Sequence, residues 1–369
     1  MKVCLAIPYN PLVEVGGLEI GTLYLAKNLI KNGIDAEILT IGTSGQKEGT
    51  PVMGFSSLSQ LCQYLVCHYE ELDVVHWLEI FPNVGEIDIQ AMTSGILRSL
   101  GKKVILMVAT SGNLKSRGTG ELITPLIKYC FDDYVISNDD QILEFRDVGI
   151  NLTGRNAIGF GVDTMEVFKP IEVSEKIRLR NQLGLPQDKV LCLFLGRFVE
   201  RKCPDFLLKS WSTLKDIYSQ SELVVVGSGM QQHDSIESDI VKLAEAAEGV
   251  NFRDITDCPS QYYQACDIFL LPSSREGQPN VLLESMACSN AVIGSDIAGI
   301  RELLINGFNG LTFKTKDKKS FTDAIRLLVR NKELRLDYGR VARSMISAEK
   351  DWSVVTKKYL DLYNQNRKE

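Results

Sequence analysis

Histidine is scarce in this sequence: His68, His76 and His233 are the three present, and they stand at no metal-ligand spacing. No Cys-x-x-Cys occurs, and the nine cysteines are scattered singly through apolar segments. That pattern excludes a disulfide scaffold and fits reduced, buried thiols in a cytoplasmic protein. No apolar run approaches the ~18 residues of a membrane span. The opening MKVCLAIPYN carries one lysine and breaks at Pro8, so it reads as a first strand rather than a signal peptide. Positive charge is also short. The net charge is −6, and residues 1–165 hold 12 Lys and Arg against 19 Asp and Glu, leaving +1 for the remainder. This argues against a nucleic-acid partner and leaves at most peripheral contact with a membrane. Clustered carboxylates for a divalent ion are missing too: Asp132-Asp133 and Asp139-Asp140 are adjacent pairs that read as helix-flank charges. No Gly-x-Gly-x-x-Gly follows the first strand, which disfavours a nicotinamide dehydrogenase.

What is present is length for two domains, 369 residues with 44% hydrophobic content. Strand-like and helix-like patterns alternate. Lys2–Ile7, Ala36–Ile41, Asp73–Leu78, Lys103–Val108 and Tyr134–Ser137 read as parallel strands, with helical stretches near 17–32, 56–70, 86–100, 119–131 and 139–148. The second half has buried strands at Lys189–Gly196, Leu223–Val226 and Ile268–Leu271, a next strand at Ala291–Gly294 and a last short one at Gly310–Phe313. An α/β class follows, the first half being doubly wound with ligands expected beyond the carboxyl ends of its strands.

The most informative stretch is Asp267–Glu302. The strand Ile268–Leu271 ends at Pro272, and the polar turn Arg275-Glu276-Gly277-Gln278 follows. Pro279 is placed to open a helix, and Glu284 lies about a turn into it. Free amides at such a helix start make an anion site. The pattern suggests a bound phosphate flanked by two carboxylates able to take sugar or ribose hydroxyls, with Gly277 letting the backbone come close. The run E-G-Q-P-N-V-L-L-E-S-M-A-C, followed by a strand and A-G-I-R-E, resembles the nucleotide-sugar site of retaining glycosyltransferases of the GT-B fold, family 4.

That resemblance implies a GT-B architecture, two Rossmann-like domains facing across a cleft. Residues 1–165 would be the acceptor side, 166–351 the donor-binding domain, and the amphipathic helix 352–366 would pack back on the first. Transfer would run from a nucleoside diphosphate sugar, UDP-linked hexose or N-acetylhexosamine by family habit, to a hydroxyl acceptor of unknown type. Neither cofactor nor metal would be required. Glu276 would orient the transferred sugar and Glu284 would hold the ribose. Arg197 and Lys202, in G-R-F-V-E-R-K, would grip the leaving diphosphate, fixed cations stabilising charge where it develops; Arg201 reads as the solvent-facing member. Asn280, Val281 and Leu282 would add amides, and Gly16-Gly17 would face the diphosphate from the first domain. On the acceptor side, His76 would form a lip with Trp77 and Phe81 as an apolar or sugar-stacking wall. Where the family has a donor-contacting histidine, Ala109-Thr110-Ser111-Gly112 stands here; either Ser111 or Asn113 replaces that contact, or the pocket is built differently. Where the family has a glycine and a proline, Ser289-Asn290-Ala291 makes an atypical turn. Two competing readings are a catalytically silent sugar-nucleotide-binding protein and a phosphorylase or epimerase of the same shape.

Overall fold

A computed structural model of the chain describes residues 1–13, 16–81, 85–108, 127–147, 149–152, 157–229 and 235–365. The chain divides into two compact units, Met1–Gly161 with Trp352–Glu369, and Val162–Asp351. Each is a twisted, mainly parallel sheet with helices on both faces, as the alternating pattern predicts.

In unit 1, β1 (Lys2–Ile7), β2 (Asp35–Ile41), β3 (Gly45–Lys47), β4 (Thr50–Phe55), β5 (Val74–Trp77), β6 (Lys103–Val108) and β7 (Asp133–Ile136) form one sheet in the order β3-β4-β2-β1-β5-β6-β7. Every pairing is parallel except β3 with β4. The hairpin β3–β4 is absent from the sequence reading. Thr50–Phe55 carries Pro51 and Gly54 within six residues, which removes a ladder donor and weakens the strand signal. It pairs with β2 nonetheless, because Val52 is buried against that strand's Ile38. Helices α1 (Gly17–Lys31), α2 (Leu58–Cys67), α3 (Glu86–Ser99) and α4 (Asp140–Arg146) supply the connections.

In unit 2, α5 (Val173–Gln182) leads into β8 (Val190–Leu195), followed by α6 (Pro204–Trp211), β9 (Ser221–Val226), α7 (Glu237–Glu245), β10 (Val250–Arg253), α8 (Pro259–Ala265), β11 (Ile268–Leu271), α9 (Asn280–Ala287), β12 (Ala291–Ser295), α10 (Ala298–Arg301) and β13 (Leu311–Phe313). The strands are all parallel, in the order β10-β9-β8-β11-β12-β13. Side chains of β8 alternate between two cores: Leu191 and Leu193 join Phe269, Leu283 and Met286, whereas Cys192 and Phe194 join Trp211 and Phe321. A strand buried on both faces has no polar side to show, which is why it reads as a continuous apolar run. Strand order reverses between β8 and β11, which makes the loops leaving their carboxyl ends the switch point of this sheet, where folds of this kind bind ligands.

The helices α11 (Lys318–Arg330) and α12 (Lys332–Glu349) complete unit 2. They are more than surface covering, since Phe321, Ile325 and Leu328 enter one core and Ala342 and Ile346 the other. Asp351 accepts the Thr164 hydroxyl at 2.6 Å and its amide at 3.2 Å, pinning the unit's last residue to its opening segment. The chain then returns to unit 1 as α13 (Trp352–Asn364), whose buried face, Trp352, Val355, Tyr359 and Tyr363, packs with Leu25, Leu29 and Phe160. The Tyr359 hydroxyl donates to the Gly159 carbonyl at 2.8 Å, and Lys103 Nζ donates to the Leu362 and Gln365 carbonyls at 2.6 and 2.9 Å.

Candidate functional site

The two loops at the switch point of unit 2 carry the residues singled out above. After β8, Gly196 leads to Arg197, and the amide of Phe198 donates to the Ser228 carbonyl at 2.9 Å. Gly227, at φ 155, admits this approach: a Cβ there would lie 1.9 Å from the Gly196 carbonyl oxygen. Residues Glu200–Lys202 then form a 3-10 turn, closed by Cys203 in the left-handed region at φ 52. After β11, Ser274 donates its amide (2.8 Å) and hydroxyl (3.2 Å) to the Arg201 carbonyl, which ties the second loop to the first. The turn at Glu276-Gly277 is backed by α10, where Gly299 lets the carbonyls crowd in; a Cβ on Gly299 would sit 2.1 Å from the Gly277 oxygen.

These anchors bring Glu276 and Lys202 together. The Lys202 ammonium lies 2.5 Å from Glu276 Oε1, and both residues are only 9% exposed. Arg201 is not the outward member that its place in a charge run suggests. Its guanidinium meets Glu276 Oε2 at 3.3 Å from the same 3-10 turn that carries Lys202. Burial alone would raise the Glu276 carboxyl, but the Lys202 and Arg201 cations hold it below the usual value. Burial pulls the Lys202 ammonium down, with Glu276 opposing and the guanidiniums of Arg201 and Arg197 adding to the fall. Arg197 is half-buried and so acts on this cluster through its charge.

The helix α9 begins at Asn280 with Pro279 as its extended N-cap. Asn280 and Val281 are half-buried, as is Gly277, whereas the Leu282 side chain is fully buried and its amide donates to the Pro279 carbonyl at 3.0 Å. Leu282 thus serves the helix start with a group expected to face the ligand. One turn on, Glu284 Oε2 accepts the Tyr263 hydroxyl at 2.9 Å. Burial pushes the Glu284 carboxyl up to about 7, against the pull of Tyr263 and the Lys202 charge. Two carboxylates eight positions apart thus lie in opposite regimes, one held ionised by cations and one poised near neutrality. Tyr263, fully buried, went unread in the sequence, its signal being only an aromatic four residues before Asp267. Ser289 adopts φ 64, so the atypical turn keeps the left-handed backbone that a glycine would take without strain.

In unit 1, Gly16 is the N-cap of α1 and Gly17 its first residue. The carboxylate of Glu19 lies over Gly16, where a Cβ would come within 2.3 Å of Oε2. The chain's own acid therefore occupies the anion-favouring end of α1, a feature the two glycines did not foretell. His76 corrects the reading of an acceptor lip. It lies within β5, not beyond its end, and is 0% exposed. Its Nδ1 is hydrogen-bonded to the Tyr363 hydroxyl at 2.9 Å, and burial drives the imidazole down to about 3. Trp77 and Phe81 are likewise buried, so neither offers a wall to a sugar. His76 and Trp77 are core because β5 is central in its sheet, and Phe81 packs edge-on against Trp77. Ser111 and Asn113 lie outside the described residues. Among the described residues, no group of three or more His, Cys, Asp or Glu is placed to hold a metal ion, and no helix is long and apolar enough to cross a membrane.

Residues 175–345 match the family model for glycosyl transferases group 1. A Campylobacter jejuni N,N'-diacetylbacillosaminyl-diphospho-undecaprenol alpha-1,3-N-acetylgalactosaminyltransferase is 31% identical over 62% of this chain, a match spanning a little over half of that protein, 55%. A Thermomonospora curvata D-inositol 3-phosphate glycosyltransferase is 24% identical over 95% of this chain and 90% of its own length. Among solved structures, Anabaena HepE in complex with UDP-glucose superposes with a TM-score of 0.79 at 17% identity, covering 98% of this chain and 99% of its own. Sucrose-phosphate synthase from Thermosynechococcus elongatus gives 0.78 at 19% identity, covering 99% of both chains. The likeness to the glycosyl transferases group 1 family thus covers residues 175–345, within a chain that has the GT-B fold.

Proposed function

We propose that the protein transfers a sugar from a UDP-linked donor to a hydroxyl acceptor with retention of anomeric configuration and without a metal ion, in the cytoplasm. The observation that carries this reading is the Lys202–Glu276–Arg201 cluster set before the start of α9, with Glu284 a turn beyond. Cleaving a glycosyl–phosphate bond places negative charge on the departing oxygen. Lys202 and Arg197 supply cations held in place before the reaction begins, and the leading amides of α9 add to them. Glu276 then takes hydroxyls of the transferred sugar, and Glu284 those of the ribose. The acceptor's proton passes to the leaving phosphate on the same face, which requires no protein general base. Support for UDP comes from HepE, whose structures hold UDP-glucose and UDP. Relatives acting on a lipid-linked sugar and on an inositol phosphate support a hydroxyl acceptor without choosing its class.

The test is a thermal-shift screen of UDP, GDP and ADP sugars, since a ligand of the folded state alone raises the melting temperature. Product anomers are then read by NMR. UDP-sugars are expected to give the largest shift and an axial donor an axial product. Equal shifts from all three bases, or an inverted product, would overturn the corresponding part of the reading.

A further inference from the structure

Two successive cations meet one buried carboxylate here, Lys202 on Oε1 and Arg201 on Oε2. We propose that Arg201 is a positioning residue for the transfer, holding Glu276 in the orientation that receives the donor sugar while Lys202 turns to the diphosphate. The inference rests on the donor site proposed above. A lysine ammonium is a compact charge on a flexible stem, and when a diphosphate enters, its hydrogen bonds are drawn toward the new anion. A buried carboxylate left without a counter-charge is costly. Arg201 removes that cost, because its planar fork keeps a partner on Glu276 whichever way Lys202 turns. Its side chain is 29% exposed, so replacing it opens no cavity. The loop path does not depend on that side chain either, since Ser274 grips the Arg201 backbone carbonyl.

The experiment uses the full chain as wild type, Arg201→Gln and Arg201→Lys. UDP release from UDP-glucose and UDP-N-acetylglucosamine, with glycerol as acceptor, is followed across pH, and UDP binding is measured by calorimetry. Loss of a cation lets the Glu276 carboxyl rise, so the acidic limb of kcat/KM for Arg201→Gln should move up by roughly one pH unit. Its kcat should fall about tenfold, UDP affinity should change by less than about threefold, and Arg201→Lys should restore the limb. An unmoved limb with kcat within about twofold of wild type would overturn the inference while leaving the donor site intact. Loss of UDP affinity in step with activity would also overturn it, making Arg201 a direct phosphate ligand. A wild type that neither binds UDP nor releases it from either donor would instead bring down the donor reading itself, and this role with it.

Discussion

His76 in unit 1 and Lys202 in unit 2 are both basic, both withdrawn from water and both near the carboxyl end of a central strand. Their fates differ because their partners differ. His76 faces a neutral phenol, Tyr363, among the rings of Tyr359 and Tyr363, and burial removes its charge. Lys202 faces the carboxylate of Glu276, itself shared with a second cation, and that carboxylate stays ionised. Burial alone therefore does not mark a working residue. A buried charge with a counter-charge, on a loop just beyond a strand, does so far better than a buried ring within one.

Breaking the charged side of this comparison should have the largest effect. Glu276→Ala leaves Lys202 buried without its partner, which should cost about 3 kcal/mol of stability in urea titration and abolish sugar transfer. Lys202→Ala should lower donor use severely in the same assay, and turnover near wild type in either variant would remove that residue from the mechanism. On the neutral side the expectation is milder. Tyr363→Phe should cost about 1 kcal/mol by leaving His76 Nδ1 unsatisfied, whereas Tyr363→Phe with His76→Phe should recover most of it and retain activity. A double variant that folds but cannot transfer sugar would return His76 to the acceptor site.

Glu284 sharpens the comparison, being half-buried with a neutral partner yet beside a charge. Its carboxyl lies near 7 in the folded protein against 4.5 in a model peptide, so the folded state holds the proton more tightly. That contribution is complete below pH 4.5 and is lost as pH rises through about 7. Glu284→Gln should accordingly gain stability relative to wild type between pH 5 and pH 8, read as the difference in melting temperature. A pH-independent difference would mean that the carboxyl titrates in the ordinary range. The smallest effect is expected at Ser289, where glycine relieves a left-handed backbone without touching the site. Ser289→Gly should stabilise by about 0.5 kcal/mol in urea, with transfer unchanged.

Much of this was legible in the amino-acid order. Strands β8, β11 and β12 are apolar runs bounded by Gly, Pro or Ser, and Glu276 and Glu284 stand at a spacing that a turn and a helix start together enforce. What was not legible depends on contacts between distant residues. Arg201 reads as one more exposed cation until Ser274 fixes its backbone, and Tyr263 acquires its part only when α8 lies beside α9. His76 misled because strand-end position was judged from local pattern, while the covering helix α13 lies 287 residues away along the chain. Strand β4 was missed because Pro51 and Gly54 weaken its pattern while Val52 still fits a ready-made edge.

The return of the chain to finish unit 1 has a consequence for how the molecule is made. Unit 2 is contiguous, so every residue it needs has been synthesised by Asp351. Unit 1, begun first, still waits for Trp352, Tyr359 and Tyr363 to cover the sheet face of Leu5 and Ile105. Unit 1, although begun first, can therefore complete its core only after the whole of unit 2 has been translated.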